Sequence, residues 1–75
     1  MSAPVLRLHR KLYGARAVGV AMEAFSELAT IALEREEAHF RLTFTDIAPD
    51  FTDVLAREFA NYALAETIES RRQTG

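Results

Sequence analysis

The feature that most constrains the fold is a switch in hydrophobic period along the chain. Between Val5 and Tyr13 the residues Leu6, Leu8 and Leu12 fall on alternate positions, the period of a half-buried strand. Between Ala15 and Ala29 the apolar residues are Val18, Ala21, Met22, Phe25, Leu28 and Ala29, one stripe of an α-helix. Ile31 and Leu33, then Phe40, Leu42 and Phe44, return to period two. From Phe51 onward the helical period resumes. The order β-α-β-β-α follows. Each element has one apolar side, so all five can share a single core.

With 75 residues the chain is expected to form one domain, 1–75. A chain of this size buries only about 60–65% of its unfolded surface. It has no cysteine, and so no disulfide staple, thiolate metal site or cysteine nucleophile. Small folds without staples often gain stability by association, so a homodimer or a bound partner is expected. The net charge of −2 gives no overall attraction to nucleic acid or to an anionic membrane. No apolar run approaches the roughly 20 residues that span a bilayer, and no signal-peptide stretch stands at the N-terminus. The cytoplasm is the expected location.

Met1 to Pro4 read as a short loose end, and the first strand as Val5 to Tyr13 with Leu6, Leu8 and Leu12 inward. Gly14 is placed to cap the first helix, Ala15 to Ala29. Arg16 near that N-terminus opposes the helix dipole. Thr30 to Glu34 form the second strand, Arg35 to Ala38 a polar turn, and His39 to Thr45 the third strand. Pro49 blocks an early helix start, and Asp50 is the expected N-cap of a second helix running to about Ser70. The tail from Arg71 to Gly75 is expected to fray. These elements suit an α+β two-layer sandwich: a three-stranded sheet, order 1-3-2 preferred, with two helices on one face. Pairing of the first strand beside the second is the alternative.

The second helix carries the most interesting residues. Phe51, Leu55, Phe59 and Tyr62 form its stripe, with Glu58 projecting near the middle. A carboxylate there must reach solvent, meet a cation such as Arg10 or Arg16, or shift its pKa. Beyond Tyr62 the stripe drifts, and Leu64 and Ile68 sit well round the helix from Leu55. The second half of the helix is therefore expected to pack on something other than the sheet. Ala56, Ala60 and Ala63, with Ala15 and Gly19 on the first helix, suggest close approach of the two helices within one chain.

The outer sheet face should present Arg7, His9, Lys11 and Tyr13 beside Glu34, His39, Arg41, Thr43 and Thr45. Only Tyr13 would offer a stacking aromatic, too few for an RNA-binding sheet. His9, His39 and Glu34 lack the local spacing of a zinc site. Ser2, Ser26 and Ser70 have no recognisable nucleophile context, and no Gly-rich phosphate loop or other cofactor motif is present.

A strand ending in Tyr13, a helix bearing Ala17, Val18, Ala21 and Phe25, a hairpin, and a helix with Glu58, Phe59, Asn61 and Leu64 together resemble a known family. These are the HxsD-like small accessory proteins of the His-Xaa-Ser systems, which accompany radical SAM peptide maturases. The resemblance implies a non-enzymatic partner in maturation of a ribosomally made peptide. Such a protein would bind a maturase, a precursor peptide or another accessory protein. Glu58 and Asn61 would then be contact residues, with Leu64 and Ile68 beside them as the partner-binding surface. The other reading, independent of the resemblance, is a self-assembling small α/β protein whose homo-oligomer holds a ligand at the subunit seam.

Overall fold

The structure, a computed structural model, describes residues 3–74. The elements in order are β1 (Val5–His9), α1 (Ala15–Ala24), β2 (Thr30–Arg35), β3 (His39–Thr45), a 3-10 turn (Pro49–Phe51) and α2 (Leu55–Thr74). The sheet order is β1-β3-β2, and both edge strands run antiparallel to β3. This is the expected α+β arrangement, with strand three in the middle.

The period-two pattern sets the faces of the sheet. On β3, Phe40, Leu42 and Phe44 are buried while His39, Arg41 and Thr43 are partly exposed. Register puts Leu6 and Leu33 on either side of Leu42, Leu8 against Phe40, and Ile31 against Phe44. This inner face meets Val18 and Ala21 of α1 and Leu55, Phe59 and Ala63 of α2 in one continuous core. Both helices thus cover the same side.

Several boundaries differ from the sequence expectation, each for a local reason. The first strand stops at His9 rather than Tyr13, because its partner runs out. His9 pairs with His39, the first residue of β3, and the next stretch of chain is the hairpin turn. The backbone instead folds over, with the N–H groups of Leu12 and Tyr13 both donating to the His9 carbonyl. Leu12 is left 59% exposed, outside the core, and Tyr13 packs against the core instead of joining the outer face. Pro4 is tied down, its carbonyl accepting from Phe44 N–H at 3.1 Å, while Met1 and Ser2 lie outside the described residues.

The first helix ends at Ala24, not Ala29. The Ser26 hydroxyl and N–H both donate to the Glu23 carbonyl, a local turn that competes with helix continuation. The second strand gains Arg35. Asp50 does not cap α2; it lies within the 3-10 turn that Pro49 opens. Turn bonds from Phe51 to Ala48 and from Val54 to Phe51 precede the first α-helical bond, Glu58 N–H to Val54 carbonyl. α2 then continues past Ser70 to Thr74, with Arg71 and Arg72 in its last turn where the dipole favours them. Of the tail expected to fray, Gly75 lies outside the described residues.

Gly19 also departs from expectation. It is exposed, as is Ala15, so neither lies in the helix–helix contact; Ala17, Val18 and Ala21 are the buried residues of α1. A Cβ at Gly19 would meet nothing within 4 Å. Gly19→Ala is therefore expected to stabilise the protein by about 0.5–1 kcal/mol through helix propensity. A melting temperature unchanged or lowered in Gly19→Ala would contradict this.

Candidate functional site

α2 is an amphipathic helix whose buried side turns steadily as it advances. Leu55, Phe59, Ala63 and Thr67 are its buried residues among those described, each one four positions after the last. A row with that spacing creeps about 40° round a helix at every step. The large residues Leu55 and Phe59 therefore fill the core, while Ala63 and Thr67 carry the contact onto α1. The two helices do meet within one chain. Of the small residues of α2, Ala63 is buried and Ala56 and Ala60 pack on the core, while on α1 the buried small residues are Ala17 and Ala21 rather than Ala15 and Gly19.

Thr67 is the polar anchor of this contact, and it is only 3% exposed. Its Oγ accepts from the Gly14 N–H at 3.1 Å and donates to the Ala63 carbonyl at 2.8 Å. Gly14 is the N-cap of α1 and has no side chain to cap with. A hydroxyl from the other helix thus fixes the backbone there. Sequence reading by large apolar residues missed Thr67. The only signal was its four-residue spacing from Ala63 and, before that, Phe59.

The opposite side of α2 is open. Leu64 is 40% exposed and Ile68 46%, whereas Tyr62, 38% exposed, lies at the edge of the packed side with its ring edge-on against Phe25 at 5.6 Å. Arg57, Asn61, Leu64 and Ile68 are all exposed and follow one another at spacings of four, three and four. That spacing keeps them on a single helical face. The drift beyond Tyr62 therefore has a definite outcome: the end of the helix packs on α1 through Ala63 and Thr67, and Leu64 and Ile68 stay outside.

Glu58 is exposed at the margin of this face, next to Asn61. It does not lie at a core rim with Arg10 or Arg16 as its cation. The Arg10 guanidinium is used elsewhere, donating to the carbonyls of Glu36 and Glu37 and lying over the Phe40 ring at 5.4 Å. The structure brings Glu58, Asn61, Leu64 and Ile68 onto one continuous exposed surface.

The outer sheet face offers a different chemistry. Arg7 and Arg41 stand directly opposite one another, and each is matched by a carboxylate. Arg7 pairs with Glu36 at 3.0 Å and Arg41 with Glu34 at 3.3 Å. Such exposed pairs contribute little to stability but do neutralise the row. His9 and His39 meet at 5.1 Å between ring centroids, and His9 Nδ1 accepts from the Lys11 N–H. Glu34 is bound to Arg41 and not to these histidines. Among the described residues there is no group of three side chains arranged to hold a metal ion, and no helix long and apolar enough to cross a membrane. Compared with known proteins, the chain matches no family model, no curated protein and no solved structure.

Proposed function

We propose that this protein is a non-enzymatic interaction module of the cytoplasm, an accessory subunit that docks a protein partner on the outward face of α2. One observation carries the reading: two large apolar side chains, Leu64 and Ile68, are exposed beside Asn61 on a regular helix whose other side packs in the core through Leu55, Phe59 and Ala63. Apolar residues one turn apart on a helical face are the anchors by which helices dock into grooves. The resemblance to HxsD-like accessory proteins supplies the partner, a radical SAM peptide maturase, and the process, maturation of a ribosomally made peptide. Nucleic acid and membrane do not enter this reading. The net charge is −2, and the open sheet face carries paired charges without stacking aromatics.

Leu64→Asp with Ile68→Asp is expected to abolish maturase binding in calorimetry while leaving the unfolding free energy within about 0.5 kcal/mol of wild type for each change, as for ordinary surface substitutions. Glu58→Ala and Asn61→Ala should weaken maturation without loss of thermal stability. Complex formation unaltered in the double Asp variant would remove α2 from the reading.

A second reading, self-association, is favoured by a separate feature of the same face. Glu58 and Arg72 are both exposed and stand two heptads apart on one side of it. In an antiparallel pair of α2 helices, Glu58 of one copy would face Arg72 of the other across the two-fold axis. Light scattering of the isolated protein separates the two: a monomer that binds maturase supports the accessory role, and a dimer that excludes maturase supports self-association.

A further inference from the structure

A cleft of about 330 Å³ opens where the turn after β1, the start of α1 and the last turns of α2 meet. Arg10, Arg16 and Arg71 line it, one from each of these segments, together with Ser70. Among the described residues, no acidic side chain lines it. Three of the nine cationic side chains of a protein with net charge −2 therefore surround one small cavity. Guanidinium groups gathered in this way repel one another, and a bound anion would relieve that repulsion.

The surroundings reinforce this field. Arg16 lies in the first turn of α1, where the dipole is already positive, and that turn contains no acidic residue. The first α-helical bond of α1 runs from Val18 N–H to the Gly14 carbonyl. The N–H groups of residues 15–17 thus precede the helical bonding pattern at the mouth of the cleft. Two of the arginines are held in place. Arg10 is anchored by the Glu36 and Glu37 carbonyls, and Arg71 donates to the Lys11 carbonyl at 3.1 Å. Arg16 is exposed and makes no hydrogen bond or ion pair within the described chain.

The geometry points to a binding site for a phosphate group carried by a small molecule. The planar guanidinium fork matches phosphate oxygens, and a phosphate group's charge of roughly −1.5 to −2 answers three cations better than a single carboxylate does. The volume lies at the lower end of the range for small-ligand pockets, about 300–1,000 Å³, which favours a compact ligand. The arginine-lined cavity carries the inference, and the helix end adds to it. This site lies apart from the outward face of α2 and does not depend on the docking role.

The test uses the whole protein, titrated with inorganic phosphate and separately with glycerol phosphate at constant ionic strength, with chloride as the balancing salt. Saturable shifts in the amide resonances of residues 14–17 are expected, with a rise in melting temperature as phosphate is added. Arg16→Gln should weaken binding about tenfold or more. Without phosphate it should melt at or above the wild-type temperature, because it relieves repulsion and an adverse dipole contact. Gly14→Asp, which places a carboxylate at the same helix end, should abolish binding. A Cβ at Gly14 meets nothing within 4 Å, so the variant has room to fold. Tighter binding of the ester than of the free ion identifies a phosphorylated metabolite as the source, and the reverse identifies phosphate itself. Shifts reproduced by chloride alone, or equal affinity in Arg16→Gln, would overturn the site.

Discussion

Replacing Phe59 with alanine is expected to cost about 3–5 kcal/mol, the usual range for removing a buried aromatic ring. Phe59 is fully buried and joins three elements. Its ring meets Phe25, just past the end of α1, at 5.4 Å and 62°, and Phe44 of the central strand at 5.4 Å and 71°. Both are edge-to-face contacts, each adding about 0.5–1.5 kcal/mol beyond area burial. Domains hold together by roughly 0.05–0.15 kcal/mol per residue, so a domain of this length has about 4–11 kcal/mol in all. Phe59→Ala therefore removes a large share of the total, and much of the population should unfold under mild denaturant. Urea unfolding with a loss below about 1.5 kcal/mol would show that the site collapses to fill the void and that Phe59 is not the keystone described here.

Thr67→Val is expected to cost about 1–3 kcal/mol although it preserves shape. The hydroxyl is the acceptor for the Gly14 N–H, and that N–H has no other partner among the described residues. Valine would leave a donor without a bond at a partly buried helix junction. The effect should be local as well as global: amide exchange at Gly14 should accelerate more than exchange in β3. Thr67→Ser keeps the hydroxyl and should restore protection at Gly14. Equal protection in Thr67→Val and wild type would contradict the role assigned to this bond.

Much of the fold was legible because period two and period 3.6 are hard to confuse over long segments. Phe40, Leu42 and Phe44 alternate cleanly and gave β3 to the residue, and three short strands with two one-sided helices left few topologies. The boundaries failed where a partner decided them. Leu12 fits the strand pattern, yet β3 begins at His39 and leaves nothing for it to pair with. Asp50 is a good cap by type, but Pro49 imposes a tighter turn first. On the candidate site, the drift of Leu64 and Ile68 could be read from angle alone, and their exposure agrees with it. Thr67 could not be read that way, because a buried hydroxyl is recognised by the group it satisfies, here a backbone 53 positions away. The cleft was hidden for the same reason: residues 10, 16 and 71 have no sequence relation until the helices are docked.

The strand at the centre of the sheet is also the last of the three to leave the ribosome. Until His39 to Thr45 have been synthesised, β1 and β2 have no native ladder to enter, since each bonds only to that strand. Nascent β2 waits only for a short turn before its hairpin can close, whereas β1 must wait while a helix and another strand are made. The Leu6 and Leu8 side of the earliest segment is thus born without its native cover, and the interval is set by translation speed rather than by any property of β1 itself.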